Sequence, residues 1–448
     1  MMRPVRFGFI LVLIAVSPAW GATIIANSCS RADVGTAVAL ATDDDEVLIP
    51  AGTCAWQQTL EITRPLTLRG SGQAETVIQD EIPKTSSSLE TLIIVSGAAR
   101  VRISQFTVQG VANDTLNNNR GYILFGAGTR DLRVDNVTFR DQKTPGIIIW
   151  NSGTGVIDHC VFDSGGESGI NVYFGTWNGG EYGDTSWTGP SSMGTAEAIF
   201  VEDCVFNSTY ISLSAGIGAR LVVRNSTFNN GAVYVSGLDS SGRFRSARHV
   251  EIYANRFIRS APGANAIVFG GGTGVVTNNS FEGPYSSLVD LENLRSMGIS
   301  AGPFGQCTGT NPFDQNSDGG YACLDQVGRG EGTLFSGDPP TPQAWPMQVS
   351  DPLYVWGNST DAGVPFVMNK TPSVLALNRD WIESSPRPRY TTFVYPHPLV
   401  TRTDAGSDMP AMTSWKVGCG CYSTPTFTGI VLLLLVALRS RGFRQFKK

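Results

Sequence analysis

The stretch VIDHCVF, residues Val156 to Phe162, decides the fold because close variants of it recur along the middle of the chain. Each variant is a short run of β-branched and small polar residues that ends at a phenylalanine: Phe139, Phe162, Phe206, Phe228, Phe257 and Phe281. Successive phenylalanines are 23, 44, 22, 29 and 24 residues apart. A repeat near 23 residues, with this composition and without helical periodicity, predicts an all-β parallel solenoid in which each repeat forms one coil.

The repeat also assigns a role to each column of residues. The column two positions before the phenylalanines alternates onto the same inward face, and its members are Val137, Cys160, Cys204, Ser226, Asn255 and Asn279. The column one position earlier suits a tight left-handed bend because most of its members are short and polar: Asn136, His159, Asp203, Asn225, Ala254 and Asn278. We therefore interpret His159 as a turn residue and Cys160 as a core residue, rather than as a catalytic pair.

The 44-residue interval between Phe162 and Phe206 is about twice the usual spacing. It contains two strand-like runs, SGINVYF and AIFVEDCVF, separated by a segment rich in glycine, serine and threonine, residues 175–197. We expect one coil that carries an inserted loop of about twenty residues, so that Cys160 and Cys204 stack in neighbouring coils. Insertions on a rigid scaffold are where binding and catalytic residues are concentrated.

Composition and the terminal segments divide the chain into regions. The 448 residues include 41% hydrophobic residues and 51 glycines, which suits one large elongated domain. The net charge of -5 gives no general affinity for nucleic acid. Residues 1–22 combine a basic start, an apolar run and small residues, as a secretory signal peptide does. Residues 23–300 carry the solenoid.

The proline-rich residues 301–415 are expected to pack along the solenoid and to cover its last coil. Such a cover would prevent the open end of one solenoid from stacking on that of another molecule, so we expect the protein to be a monomer. His397 lies between two prolines in this region, and we interpret it as a turn residue rather than a catalyst.

Exported proteins meet an oxidising environment, so the cysteines of this chain can form disulfides. Cys29 and Cys54 bracket a segment in which Ser30 can cap a short helix that covers the other end of the solenoid. A bond between Cys29 and Cys54 would fix this lid. We expect Cys307 and Cys323 to form a second pair in a glycine-rich loop.

Residues 43–72, DDDEVLIPAGTCAWQQTLEITRPLTLRGSG, resemble the opening of the right-handed parallel β-helix proteins of the pectate-lyase-like superfamily. The resemblance implies a right-handed parallel β-helix over residues 26–300 and a polysaccharide partner. VIDH is also similar to the VWIDH stretch of pectate lyases, although the tryptophan and the calcium-binding carboxylate motif are absent. The paired aspartates, GHG and RIK of polygalacturonases are absent as well, so the resemblance concerns fold rather than one named activity.

The inserted loop and its flanks supply the candidate catalytic residues. Residues 144–219 contain no lysine or arginine, but they contain carboxylates suited to glycoside hydrolysis: Asp163, Glu167, Glu181 and Asp184. Aromatic residues that can stack on sugar rings lie in the same stretch: Tyr173, Trp177, Tyr182 and Trp187. The alternative is a solvated loop whose aromatic side chains pack onto the surface of the β-helix, and the sequence favours neither interpretation.

A second constellation has the spacing of a calcium-binding loop. Oxygen ligands stand at its first, third, fifth and twelfth positions, with glycine at the sixth: Asp314, Asn316, Asp318 and Asp325, with Gly319. Calcium is therefore the one cofactor that the sequence suggests. The alternative is a loop held by the Cys307–Cys323 disulfide, because Cys323 lies inside the same segment.

Two functions remain compatible with these residues. The first is an exported enzyme, a lyase or a glycoside hydrolase, that acts on an acidic or neutral polysaccharide. The second is a non-catalytic, adhesin-like surface protein that binds glycan. The resemblance favours the first and the missing catalytic motifs favour the second.

The last residues predict attachment to the bacterial cell surface or outer membrane. Residues 416–448 combine a Gly-Cys-Gly-Cys motif, an apolar run and a basic end, an order that resembles the C-terminal sorting tails of bacterial surface proteins. The resemblance implies that Cys419 and Cys421 are processing residues. The alternative is a plain membrane anchor, although the apolar run is shorter than the roughly 20 residues of a stable span.

Overall fold

The computed structural model confirms the predicted fold class, a right-handed parallel β-helix with a short N-terminal helix as its cap. A typical coil contributes a first and a second strand, joined by a one-residue bend, and a third strand on the other side of the core. The residues that the structure describes are 21–83, 91–110, 121–151, 153–164, 168–175, 182–208, 211–237, 244–298, 305–307, 314–317, 320–332, 348–361 and 363–401.

First and second strands of successive coils pair in parallel to form one long sheet. Over the described residues its strands are Thr23–Ile25, Asp45–Ile49, Gly52–Trp56, Leu66–Gly70, Thr76–Asp80, Arg102–Gln109, Leu132–Gln142, Gly155–Asp158, Val161–Ser164, Ile199–Glu202, Val205–Ser208, Arg220–Arg224, Thr227–Asn229, His249–Tyr253, Arg256–Ile258, Thr273–Thr277, Ser280–Glu282, Leu353–Trp356, Ser359–Thr360 and Trp381–Glu383.

Third strands form a separate parallel sheet, which we call the third-strand sheet. Over the described residues its strands are Leu60–Ile62, Ile93–Val95, Ile123–Phe125, Ile147–Ile149, Ile170–Tyr173, Ile211–Gly216, Ala232–Val235, Asn265–Phe269, Ser287–Leu291 and Val367–Asn369. The remaining described elements are an antiparallel hairpin of Asp314–Ser317 with Gly320–Cys323 and the helices Arg31–Leu40, Asp184–Trp187 and Pro398–Thr401.

The repeat columns take the positions that their residue types predict. The six phenylalanines are buried and stack face to face, with neighbouring ring centroids 4.6–5.0 Å apart and interplanar angles of 10° or less. The whole turn column adopts a left-handed backbone, with φ of 52° at His159 and 57° even at Ala254. Cys160 and Cys204 are buried free thiols in neighbouring coils, as predicted.

The 44-residue interval is one coil with an insertion. Phe162 pairs with Phe206 in adjacent strands, so residues 175–197 add no coil of their own. They form the inserted loop, which follows the third strand Ile170–Tyr173 and precedes the first strand Ile199–Glu202. The insertion therefore lies at the corner where the third-strand sheet meets the next coil.

The N-terminal cap agrees with its predicted form. Ser30 accepts a hydrogen bond from the backbone N–H of Asp33 and begins the helix Arg31–Leu40, whose apolar side packs on the first coil. Cys29 and Cys54 are disulfide-bonded, with their Cα atoms 5.7 Å apart. The disulfide thus fixes the cap to the second strand of the first coil, Gly52–Trp56.

Parallel pairing continues beyond residue 300, at which the sequence repeat was judged to end. Leu353–Trp356 pairs with Thr273–Thr277, and Asn358 accepts a hydrogen bond at 3.0 Å from the side chain of Asn279, which extends the inward polar column. The chain then turns back, and residues 387–401 cross the outer face of the first strands. We call this segment the strap.

Buried charges fix the strap to the β-helix. Arg224 is fully buried, forms an ion pair with Glu202, and donates hydrogen bonds to the carbonyl oxygens of Phe393 at 2.8 Å and Val394 at 2.9 Å. Glu202 also accepts the backbone N–H of His397 at 2.9 Å. A buried charge is tolerated only when it is paired in this way.

Candidate functional site

The two predicted catalytic carboxylates that the structure describes lie on separate elements and have structural partners. Asp163 points outward from a second strand, and its Oδ1 accepts a hydrogen bond from Asn207 Nδ2 at 2.6 Å. Asp184 begins the short helix of the inserted loop, and its Oδ1 lies 2.8 Å from Arg245 Nη1 in an ion pair. The remaining two candidates are outside the described residues: Glu167 and Glu181.

The structure corrects the expected role of Trp187. Its side chain is fully buried, its indole N–H donates to the carbonyl oxygen of Ser246 at 3.0 Å, and the guanidinium groups of Arg245 and Arg248 lie 5.1 and 5.3 Å from its ring centroid. A ring enclosed in this way anchors the inserted loop and cannot stack on a sugar. A tryptophan in a glycine-rich loop has no sequence feature that distinguishes these roles.

The other predicted aromatic residues differ in their positions. Tyr182 is half-buried beside Phe244, with ring centroids 5.9 Å apart, and Tyr173 is half-buried at the end of a third strand. Trp177 is outside the described residues. Tyr173 and Tyr182 are therefore the predicted binding residues that the described part of the chain leaves partly exposed.

Two of the suggested calcium ligands lie in a hairpin. Asp314 and Asn316 belong to a strand that pairs antiparallel with Gly320–Cys323, and Cys323 is bonded to Cys307 as predicted. Asp318 is outside the described residues. Among the described residues, no group of three or more histidine, cysteine, aspartate or glutamate side chains is placed to hold a metal ion.

Asp325, the last suggested ligand, is fully occupied by protein donors. Its two oxygens lie 2.6 Å from Nε and Nη2 of the buried Arg245, and Gln348 Nε2 donates to Oδ1 at 2.6 Å. The guanidinium group of Arg245 thus balances the negative charge of Asp325. Calcium binding stays a prediction that rests on the spacing of the residues alone.

Two cavities on the outer side of the third-strand sheet share Tyr173. The larger, about 220 Å³, extends over three coils past Asn171, Ser214 and Tyr234 to Phe244. The smaller, about 150 Å³, lies at the corner beside the inserted loop, and its polar lining is Arg130, Thr154, Glu197 and Arg220. Together they form a groove across the coils, which we call the Tyr173 groove.

Hydrogen-bonding side chains follow the groove in register. Asn171 pairs with Ser214 and Ser214 with Tyr234 in adjacent parallel strands, so their side chains point outward in one column. Adjacent strands lie about 4.7–4.9 Å apart, which sets the spacing of the column. A flat floor with amide, hydroxyl and aromatic groups at a regular step can bind a chain of repeating polar units.

A carboxylate contacts Tyr234, which is one of the residues that line the larger cavity. Tyr234 donates a hydrogen bond from its hydroxyl group to Glu292 Oε1 at 3.3 Å, and Glu292 is 8% exposed. Burial raises the pKa of Glu292, against the opposing effects of Lys370 and Tyr234. Asp290 lies two residues earlier on the same face and forms an ion pair with Lys370.

The sequence interpretation did not single out Tyr234 or Glu292. Tyr234 and Glu292 are 58 residues apart and lie outside the inserted loop, so neither belongs to a recognisable motif. The repeat register is the one signal that brings them together, because it aligns the third strands of successive coils.

Comparison with known proteins gives a likeness of fold. No family model and no curated protein matches this chain. An alginate lyase from Paenibacillus sp. str. FPU-7 superposes with a TM-score of 0.45 and 13% identity over 79% of this chain and 99% of its own. A family 28 exopolygalacturonase from Yersinia enterocolitica superposes with a TM-score of 0.46 and 10% identity, over 78% of this chain and 68% of its own.

Pectin methylesterase PemA from Erwinia chrysanthemi also superposes, with a TM-score of 0.36 and 10% identity over 82% of this chain and 94% of its own. At these identities and TM-scores, the resemblances assign no activity to this chain. In the described part of the chain, no helix has the length and apolarity that a membrane span requires. The tail with Cys419 and Cys421 is outside the described residues.

Proposed function

We propose that this protein binds polysaccharide along the Tyr173 groove. The observation that carries the proposal is that one half-exposed ring, Tyr173, lines both cavities of a groove that crosses several coils. Aromatic faces stack on the apolar faces of sugar rings, and Ser214 and Tyr234, which are partly exposed, offer hydrogen bonds to hydroxyl groups.

The smaller cavity supports acidic sugars as ligands. Arg130 is exposed there, and its guanidinium group makes no hydrogen bond or ion pair with the described residues. Arg220 is held by the inserted loop, where it donates to Ser186 and Ser192. A sugar carboxylate that entered this cavity would meet Arg130 with its donors available.

Binding is tested by titrating the protein with a panel of neutral and uronate-containing oligosaccharides by calorimetry. With the best ligand, we expect Tyr234→Ala to weaken binding about 10-fold, because it removes a ring and a hydroxyl from the groove floor. Tyr395→Ala is the matched control, since Tyr395 is 52% exposed on the strap. An equal loss of affinity in Tyr234→Ala and Tyr395→Ala would contradict the proposal, and so would the absence of binding to every oligosaccharide.

Cleavage of the bound chain is a second candidate, and it rests on Glu292. A glutamate whose pKa is raised by burial retains its proton more readily, and it can then donate that proton to a leaving oxygen. Asp290, two residues earlier, is fully buried and forms an ion pair with Lys370, so Glu292 alone carries this candidate.

Cleavage is tested with Glu292→Gln on the same oligosaccharides. Reducing ends report hydrolysis, and the absorbance of an unsaturated product reports a lyase reaction. We expect product from the wild type, at least a 100-fold lower rate in Glu292→Gln, and dissociation constants within about twofold of each other. Binding without product in the wild type would establish a glycan-binding surface protein instead.

We also propose that the protein is exported and held at the bacterial cell surface by residues 416–448. The Cys29–Cys54 and Cys307–Cys323 disulfides support an oxidising compartment. Replacement of both Cys419 and Cys421 by serine tests the sorting hypothesis by cell fractionation. If the doubly substituted protein still reaches the surface at its normal mass, the sorting hypothesis is wrong.

A further inference from the structure

Two consecutive residues beneath the inserted loop carry buried nitrogen atoms without partners. Arg248 is 1% exposed, and its Nη2 donates to the carbonyl oxygen of Gly189 at 3.0 Å. Its Nε and Nη1, and both ring nitrogens of the fully buried His249, have no hydrogen-bond partner among the residues that the structure describes. Buried polar groups are paired in the great majority of cases, so these nitrogen atoms mark a candidate site for a ligand or an ordered water molecule.

Positive charge dominates around His249, whereas Arg248 lies in the field of Asp351, Glu331 and Asp325. Burial, followed by the charges of Arg220, Arg248 and Arg387, lowers the pKa of His249 well below its usual value, so its ring is neutral at pH 7. The nearest carboxylate is Glu251, whose Oε1 lies 3.9 Å from His249 Nε2, beyond hydrogen-bond distance. The oxygens of Glu251 already accept hydrogen bonds from the inserted loop and the strap.

Arg248 remains a cation in this setting. Burial lowers its pKa to about 10, which still leaves it protonated at neutral pH. The carboxylate that attracts it most is Asp351, but Asp351 forms an ion pair with Arg387. The charge of Arg248 is therefore not neutralised by a carboxylate of its own, which is unusual for a buried arginine.

Gly189, which accepts a hydrogen bond from Arg248, leaves room beside Arg220. A Cβ atom placed on Gly189 would lie 3.7 Å from Arg220 Nη2 and, apart from its chain neighbours, more than 4 Å from every other heavy atom. The ring of Trp187 lies against Arg248 and closes one side. The inserted loop therefore contacts Arg248 through Trp187 and Gly189.

We propose that Arg248 and His249 bind a small inorganic anion of the halide class beneath the inserted loop. The anion would accept hydrogen bonds from Nε and Nη1 of Arg248 and from the ring N–H of His249. Because Gly189 and Arg220 hold the loop at the same place, the bound anion would stabilise the loop on the β-helix. The proposed donors, Arg248 and His249, do not line the Tyr173 groove, although the neighbouring Arg220 does, and the site does not depend on the identity of any glycan.

Thermal unfolding of the full chain in bromide tests the proposal. Bromide replaces gluconate stepwise at constant ionic strength, so that general salt effects stay fixed. We expect a saturable rise in Tm of about 2–5 °C for the wild type and none for Arg248→Met. Arg256→Met is the matched control that should keep the full rise, because Arg256 is an exposed arginine paired with Glu282.

A crystal grown in bromide gives a second readout that needs no variant. We expect an anomalous peak about 3.3 Å from Nε or Nη1 of Arg248, in a position that an adventitious surface ion would not share. A water molecule at that position without anomalous signal would overturn the proposal. So would a rise in Tm that is equal in all three chains, or the absence of a rise in the wild type.

Discussion

His397→Asn tests how the strap is held, because His397 is a buried histidine that must stay neutral. The ring is 5% exposed, its centroid lies 4.7 Å from that of Phe200, and its Nδ1 accepts the backbone N–H of Leu399 at 3.2 Å. Burial, followed by the charges of Arg224 and Arg133, lowers the pKa of His397 to about 4. Asparagine offers an acceptor near the position of Nδ1 and does not titrate.

The direction in which pH changes the free energy of unfolding follows from the number of protons that the folded and the unfolded chain bind. Between pH 6.5 and 4 the unfolded chain protonates His397 and the folded chain does not, so stability is present above pH 6.5 and is lost as pH falls. At pH 4 the loss reaches about 3 kcal/mol. Glu202 acts in the opposite direction, since burial raises its pKa and its contribution to stability is lost as pH rises.

Comparison of the wild type with His397→Asn separates the contribution of His397 to stability from those of Glu202 and the other titrating groups. Urea unfolding at pH 8, 7, 5 and 4 gives the free energy of unfolding of each. We expect the difference between the chains to be constant from pH 8 to 7 and to shift by about 3 kcal/mol in favour of His397→Asn at pH 4. Parallel pH profiles of the wild type and the variant would refute this account of the strap.

Three further predictions concern stability and need only urea or thermal unfolding. Trp187→Ala should cost about 3–5 kcal/mol because the ring is fully buried under the inserted loop, and a cost below about 1 kcal/mol would contradict its anchoring role. Phe206→Ala should cost a similar amount because it interrupts the ring stack, whereas Phe206→Leu should cost less than half as much. Replacing Cys29 and Cys54 by serine should cost about 3–4 kcal/mol for a closed loop of 25 residues, and an unchanged free energy of unfolding would show that the cap is held by packing alone.

The repeat made the fold predictable because its constraints are local. A left-handed bend requires a tolerant residue at one position, as His159 illustrates, and period-two alternation then places Cys160 and Phe162 inside. These requirements recur in every coil, so six copies of one pattern reinforce each other. The same register predicted that the interval from Phe162 to Phe206 is one coil.

The site could be predicted only in part, because its contacts join residues that are far apart in the chain. Tyr173 was predicted to bind substrate, and it lies partly exposed at the end of a strand beside the insertion. Asp184 and Asp325 were judged from their neighbours in sequence, but each is held by Arg245, which is 61 and 80 residues away. Pairing partners at such separations leave no pattern in the sequence.

The central claim is that glycan binds through the ring of Tyr173, and one calorimetric comparison tests it most directly. The dissociation constant of the best oligosaccharide is measured for the wild type, Tyr173→Phe and Tyr173→Ala. We predict that Tyr173→Phe, which keeps the ring, binds within about threefold of the wild type and that Tyr173→Ala binds at least about 10-fold more weakly. Equal dissociation constants for the wild type and Tyr173→Ala would contradict the claim.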